Sequence, residues 1–158
     1  MISEAHLQSA CCDLVADVAR LSGKVQLKVA GTSMVPALWP GDLVTVRNCQ
    51  PSELAPDSIV VFRQNQRLVV HRMLRREAGR IVTRGDARPC LDPPVPADQI
   101  IGCVEAATRN GRPVRLRPWP WQTSVAWLLR RSAWATSFYL RLISRFRRFS
   151  VAGPVLGL

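Results

Sequence analysis

Ser33 is the residue of this sequence best placed to act as a nucleophile. It lies in a stretch rich in glycine and proline, residues 31–42, between apolar runs at 25–30 and 43–46. One strand would feed this turn and another would leave it, which would fix the Ser33 hydroxyl beside a group of backbone N–H donors. Nucleophilic serines need such a fixed position and such donors for the oxyanion. The alternative is a serine that only binds the backbone of its own turn.

A serine hydroxyl needs a base to remove its proton, and the sequence contains two kinds of base. Lys24 and Lys28 precede Ser33 on the same predicted strand, from which neither side chain easily reaches the hydroxyl. His71 lies in an apolar strand, where burial favours the neutral imidazole that a general base requires. His71 is therefore the preferred candidate, and a core histidine bonded to backbone is the structural alternative.

A carboxylate is the group that best holds a neutral imidazole in one tautomer. Asp86 and Asp92 both lie in an irregular segment, residues 85–98, that follows the strands near His71. Either could instead shape a turn, since glycine followed by aspartate is common in turns. The sequence leaves both open as partners of the histidine.

Short apolar strands separated by turn signals surround these candidates. The return loop at 64–67 and the pair Asn110-Gly111 are typical of hairpins. Six or seven such strands indicate a mainly β, barrel-like domain. Their predicted bounds are 25–30, 43–47, 59–62, 68–74, 80–83, 100–106 and 113–117.

A helix is predicted before the strands, over residues 3–22. Ser3 can cap its start, and Gly23 ends it. We expect its apolar face to pack on the β domain. That face carries Leu7, Cys11, Leu14, Val18 and Leu21. The chain thus divides into a helix at 1–23, a β catalytic domain at 24–117 and a C-terminal segment at 118–158.

The net charge of +11 comes almost entirely from the C-terminal part of the chain. Residues 1–105 contain 12 basic and all 11 acidic residues, whereas residues 106–158 contain 10 arginines and no acidic residue. Such an excess favours phosphate groups as partners, on lipid or on nucleic acid.

Residues 119–148 have the composition of a basic, aromatic amphipathic helix. This pattern is typical of a segment that lies at a membrane surface, and docking on a partner protein is the alternative. No nucleic-acid-binding motif accompanies the arginines, so no specific nucleic acid is expected. The arginines that share one sector of the helix are Arg130, Arg141, Arg145 and Arg148.

The cysteines and the N-terminal sequence are the features from which we predict the cellular compartment. The five cysteines are odd in number and form no Cys-x-x-Cys pair, so neither a disulfide framework nor a metal site is predicted, and no cofactor is expected. Acidic residues interrupt any N-terminal signal sequence, and no apolar window is long enough to span a membrane. We expect a cytoplasmic protein, with peripheral membrane attachment through 119–148.

Five motifs in order resemble the boxes of type I signal peptidases and their relatives. The resemblance covers residues 25–106. Its motifs are Ser33-Met34-x-Pro36-x-Leu38-x-x-Gly41-Asp42, Ile59-Val60-Val61-Phe62-Arg63, Val69-Val70-His71-Arg72, Thr83-Arg84-Gly85-Asp86 with Asp92, and Ile101-Gly102-Cys103-Val104. His71 stands where the bacterial enzymes carry lysine, so the resemblance implies a closer relation to the endoplasmic-reticulum and archaeal-type branch, which is known for a Ser/His/Asp arrangement.

The resemblance implies a role for each matching position. Ser33 would be the nucleophile, His71 the general base, Asp92 the orienting acid and Asp86 a supporting acid. The backbone N–H groups of Ser33 and Thr32 would bind the oxyanion. The segment that includes Met34 and Pro36 would contact the substrate.

Three departures from the family pattern stand out. Residue 31 is glycine where many members have a serine whose hydroxyl helps the oxyanion, and losing one such donor can cost about 10²–10³ in rate. The second box opens with Asp57-Ser58 in place of Gly-Asp. An N-terminal membrane anchor is not predicted.

The sequence therefore predicts a signal-peptidase-like serine endopeptidase that cleaves a signal or leader-type peptide, bound as an extended strand. Two alternatives remain. One is a self-cleaving regulator similar to LexA, and the other is a non-catalytic peptide-binding module on the same fold.

Overall fold

The fold is a seven-stranded antiparallel sheet preceded by one helix. It is seen in a computed structural model, which describes residues 4–117. This architecture confirms the predicted mainly β class. The elements are α1 (Glu4–Ser22), β1 (Lys24–Lys28), β2 (Leu43–Arg47), β3 (Ile59–Gln64), β4 (Arg67–Glu77), β5 (Arg80–Arg84), β6 (Ile100–Arg109) and β7 (Arg112–Pro113).

The sheet has the strand order β1-β2-β6-β3-β4-β5, with β7 paired to β6. β6 thus joins the hairpin that flanks the Ser33 turn to the hairpin that carries His71. Register shifts interrupt the β2–β6, β3–β6 and β4–β5 ladders. Such bulges increase twist and bend a sheet, as a barrel-like fold requires.

β3 is buried on both faces, which explains its uninterrupted apolar sequence. Ile59 and Val61 belong to one core cluster, and Val60 and Phe62 belong to a second cluster on the opposite face. Alternate side chains of a strand point to opposite faces, so both faces of this part of the sheet are covered.

Three hairpin turns have left-handed residues at both central positions. The angle φ is +51° at Asn110 and +76° at Gly111, the conformation that this dipeptide predicts. Asn65 and Gln66 adopt the same handedness between β3 and β4, and Ala78 and Gly79 do so between β4 and β5. The bounds predicted for the last strand, 113–117, are wrong, because β7 comprises Arg112–Pro113. After it, the Val114 N–H still donates to the Ala107 carbonyl of β6 at 2.8 Å.

The predicted packing face of α1 is wrong. Leu14 is 63% exposed and Leu21 is 88% exposed, whereas Ala16 and Ala19 are buried in the first core cluster. Small side chains let the helix backbone approach the sheet closely, so the alanines occupy the contact and the larger leucines face outward. The helix itself is confirmed at the predicted bounds to within a residue.

Within residues 4–117, no helix is long and apolar enough to cross a membrane. The predicted amphipathic segment 119–148, with its arginines, lies outside the described residues and stays a prediction.

Candidate active site

The Ser33 turn is closed by hydrogen bonds beyond the ends of β1 and β2. The Val29 N–H donates to the Asp42 carbonyl at 2.8 Å, and the Gly41 N–H donates to the Val29 carbonyl at 2.7 Å. Inside the turn, the Leu38 N–H donates to the Met34 carbonyl at 2.9 Å. The β1–β2 pair therefore fixes a loop whose apolar residues fill the core, while Ser33 stays partly exposed at its rim.

Asp42 holds the far end of this turn. Its side chain is fully buried, and its Oδ2 accepts the Trp39 backbone N–H at 2.8 Å. The Arg109 guanidinium donates to both carboxylate oxygens at 2.8 Å and lies 5.7 Å from the centre of the Trp39 ring. A bidentate pair of this kind is both strong and geometrically specific, so β6 stabilises the serine turn through Arg109.

Ser33, His71 and Asp92 form a hydrogen-bonded chain. The Ser33 Oγ lies 2.9 Å from His71 Nε2, and Asp92 Oδ2 lies 2.6 Å from His71 Nδ1. A serine hydroxyl on one ring nitrogen and a carboxylate on the other is the arrangement of a nucleophile, its base and the acid that orients the base. The structure thus brings together three of the predicted residues and selects Asp92 as the histidine's partner.

Strand pairing places His71 opposite a fully buried neighbour. His71 pairs with Val60 across the β3–β4 ladder, and its side chain is 3% exposed. The Phe62 ring lies edge-on to the imidazole, with the ring centres 6.1 Å apart. The imidazole is thus buried with one ring nitrogen facing Ser33 and the other facing Asp92.

Thr83 completes the surroundings of Asp92, a role that sequence reasoning missed. Its hydroxyl donates to Asp92 Oδ2 at 2.7 Å, and its carbonyl accepts the Asp92 N–H at 3.0 Å. Burial raises the pKa of Asp92, but the hydrogen bonds from His71 and Thr83 and the nearby charges of His71 and Arg88 outweigh it, so the pKa lies below its usual value. The signal that could have found Thr83 was its place at the end of the short run Ile81-Val82-Thr83, all of which is buried in β5.

Asp86, which the sequence predicts as a supporting acid, forms an ion pair with Arg72. Its two carboxylate oxygens accept from Nε and Nη2 of Arg72, each at 2.8 Å. Arg72 also donates to the Asp57 carbonyl at 2.8 Å and to the Leu116 carbonyl at 3.3 Å. This buried ion pair joins β4 to the loop after β5, the loop that also carries Gly85 and Asp92.

Gly85 is a second residue that sequence reasoning did not assign to the site. A β-carbon at this position would stand 2.7 Å from the Ser33 carbonyl oxygen and 3.0 Å from His71 Nε2. The neighbouring Ala87 N–H donates to that same Ser33 carbonyl at 2.9 Å. The loop after β5 therefore packs directly on the nucleophile, and only glycine fits at position 85.

The predicted oxyanion donors and substrate contacts lie in the same turn. Within residues 4–117, no hydrogen bond joins the N–H of Thr32 or Ser33 to a protein acceptor, so the prediction that they bind an oxyanion stays open. The Met34 side chain is 2% exposed in the first core cluster, and Pro36 is also buried. Any contact of Met34 with a substrate would therefore use its backbone.

The two lysines that the sequence offered as alternative bases lie on β1. Lys24 forms an ion pair with Glu105 at 2.5 Å, and Lys28 is opposite Leu43 of β2 in the strand ladder. The side chain that contacts the Ser33 hydroxyl is that of His71.

Comparison with known protein families identifies the class. The family model described as Peptidase S24-like matches residues 5–87, more than half of the chain. The chain belongs to the Peptidase S24-like family. The matched range includes Ser33 and His71 but ends before Asp92. A comparison with curated proteins finds no match.

Proposed function

We propose that this chain is a serine endopeptidase in which Ser33 is the nucleophile, His71 the general base and Asp92 the residue that orients the base. The observation that carries the proposal is the continuous hydrogen-bonded chain from Ser33 Oγ through both ring nitrogens of His71 to Asp92. Membership of a peptidase family supports the same reaction class.

The proposed roles give each proton a path. As Ser33 Oγ attacks the scissile carbonyl, its proton passes to His71 Nε2, and Asp92 stabilises the imidazolium from Nδ1. His71 then gives the proton to the leaving amine, which frees the base to activate a water that hydrolyses the acyl-enzyme. The N–H groups of Thr32 and Ser33 are the donors that we assign to the oxyanion.

The substrate that we propose is an extended peptide of the signal or leader type. Such a peptide would add as a strand next to the Ser33 turn, where main-chain hydrogen bonds supply affinity. The histidine base is the feature that supports a closer relation to the endoplasmic-reticulum and archaeal-type signal peptidases. Attachment to a membrane surface through 119–148 remains a separate proposal.

Self-cleavage is a second candidate, because regulators similar to LexA share this peptidase fold. A chain that cleaves itself intramolecularly would do so with a half-life that does not depend on protein concentration. An endopeptidase acting on other chains would leave itself intact and cleave added peptides. Incubation of the pure full chain over a range of concentrations, followed by intact mass measurement, separates the two.

The test of the proposed function is cleavage of a defined peptide mixture by the full chain, with products identified by mass spectrometry. We expect cleavage by the wild type and none by Ser33→Ala. Ser58 lies outside the triad and offers a matched control, so Ser58→Ala should retain activity. Peptides that bind without being cut would favour the non-catalytic module instead.

A further inference from the structure

Arg88 is the last residue of the turn that brings Gly85 to the nucleophile. The Arg88 N–H donates to the Gly85 carbonyl at 2.9 Å and closes the turn. Within it, the Ala87 N–H donates to the Ser33 carbonyl at 2.9 Å, and the Asp86 carboxylate ties the turn to β4 through a buried ion pair. The backbone of Arg88 is therefore fixed on a turn that packs against Ser33.

The Arg88 side chain leaves this turn beside the proposed general base. A β-carbon at residue 85 would lie 3.0 Å from Arg88 Cγ and 3.0 Å from His71 Nε2, so both atoms border the same point. That point is also 2.7 Å from the Ser33 carbonyl oxygen. The aliphatic part of Arg88 thus lies at the edge of the candidate active site, next to the nitrogen that faces the Ser33 hydroxyl.

The charge of Arg88 is exposed at this edge. Among residues 4–117, its guanidinium forms no hydrogen bond or ion pair, and the two carboxylates that flank it in sequence are bound elsewhere, Asp86 by Arg72 and Asp92 by His71. The charge of Arg88 nevertheless helps to lower the pKa of Asp92, which indicates that it lies near the triad. Guanidinium groups bind carboxylates well, so Arg88 can accept an anionic group of a ligand.

The side of the site on which Arg88 lies decides which part of a substrate it meets. In the proposed mechanism His71 gives its proton to the leaving amine, so the residues that follow the scissile bond lie on the His71 side. Arg88 Cγ borders the same point as His71 Nε2. An extended peptide rises about 3.3 Å per residue, so an arginine side chain can reach the first few positions after that bond.

We propose that Arg88 is a specificity-determining residue that selects substrates with an acidic side chain in the first three positions after the scissile bond. The inference rests on the proposed endopeptidase function for the location of that bond. It narrows the substrate from an extended peptide to one with a carboxylate on its leaving side. Arg88 binds this carboxylate through its N–H donors and takes no part in proton transfer.

The first experiment measures charge preference by competition. The full chain digests an equimolar mixture of peptides in which one alanine is followed by three positions that carry Glu, Gln or Lys, and mass spectrometry gives their relative kcat/KM values. We expect the wild type to favour Glu over Gln by about 2- to 5-fold at one of these positions, the size of an ion pair that is partly open to solvent. High salt should reduce this preference.

Charge substitutions at Arg88 separate recognition from a structural role. In Arg88→Gln the Glu and Gln peptides should be cleaved at equal rates, and Arg88→Glu should favour Lys instead. A purely structural role would lower the cleavage of all peptides alike. Arg80→Gln is the matched control and should keep the wild-type preference, because Arg80 is also exposed but lies at the start of β5, away from the turn.

Binding of the same peptides to Ser33→Ala, measured by fluorescence anisotropy, distinguishes the failure of this inference from that of the peptidase function. Cleavage without charge preference, or a preference that survives Arg88→Gln, overturns the inference and leaves the peptidase function standing. If the wild type cleaves nothing but Ser33→Ala binds the Glu peptides more tightly, and adding Arg88→Gln removes that preference, the peptidase function fails and recognition by Arg88 stands. Neither cleavage nor preferential binding would contradict both.

Discussion

Gly85 and Ser33 are in direct backbone contact across the candidate active site. A β-carbon on residue 85 would approach the Ser33 carbonyl oxygen to 2.7 Å, a distance that real β-carbons do not reach. The same β-carbon would lie 3.0 Å from His71 Nε2, the nitrogen that faces the Ser33 hydroxyl. The alignment of nucleophile and base therefore depends on the absence of a side chain at residue 85.

Gly85→Ala should reduce peptidase activity strongly, although the substitution adds only one methyl group. The added methyl group must push apart the Ser33 backbone and the His71 ring, and a displacement of about 1 Å at a reacting group can cost about 10² in rate. The measurement is kcat/KM on a cleaved peptide. Gly31→Ala is the matched control, because its β-carbon would meet no atom within 4 Å. Equal activity of the two variants would contradict the prediction.

Thr83→Val should remove the hydrogen bond from the Thr83 hydroxyl to Asp92 while preserving the shape of the side chain at residue 83. Thr83 is fully buried and its hydroxyl donates to the oxygen that also faces His71. We expect kcat to fall and the free energy of unfolding to decrease by about 1–3 kcal/mol, since one buried hydrogen bond is lost. Urea unfolding and peptide cleavage are the measurements, and Thr45→Val on the partly exposed side of β2 is the control. Unchanged stability and kcat would show that Thr83 does not support Asp92.

Gly31→Ser should increase activity. Many signal peptidases and their relatives have a serine at this position, and the space around Gly31 is open. A hydroxyl there could add an oxyanion donor, which in other enzymes contributes about 10²–10³ in rate. We expect a gain in kcat for Gly31→Ser and none for Gly31→Ala. A gain in both variants would point to reduced chain flexibility instead of a new donor.

The lowered pKa of Asp92 makes its contribution to stability depend on pH. A carboxyl whose pKa is lower in the folded chain stabilises the fold above its unfolded value of about 3.9, and this stabilisation is lost as the pH falls through the folded value. The difference in unfolding free energy between wild type and Asp92→Asn should therefore shrink as the pH falls below about 4. Chemical unfolding at a series of pH values measures it. A difference that grows toward low pH would mean that the pKa of Asp92 is raised.

Much of the fold could be predicted because local sequence and tertiary structure agree. The apolar run 59–62 is buried on both faces, and Asn110-Gly111 forms the left-handed turn that its sequence predicts. The helix face was predicted incorrectly because hydrophobic spacing identifies large apolar side chains. It does not reveal that Ala16 and Ala19 allow closer packing than Leu14.

The candidate site could be predicted only in part for a related reason. Motif order pointed to Ser33, His71 and Asp92, and their hydrogen bonds agree with the assigned roles. The partner of Asp86 depends on which strands are neighbours, since Arg72 meets it only once β4 and β5 pair. Sequence spacing contains no such information.

The joint action of Ser33 and His71 can be tested by the cleavage rates of four full-length proteins on one peptide: wild type, Ser33→Ala, His71→Ala and the double variant. If the two residues act as one unit, each single substitution should lower kcat/KM by at least about 10³-fold, and the double variant should lose no more. Cleavage by Ser33→Ala at the wild-type rate, or no cleavage of any peptide by the wild type, would contradict the assignment of Ser33 and His71 as nucleophile and base.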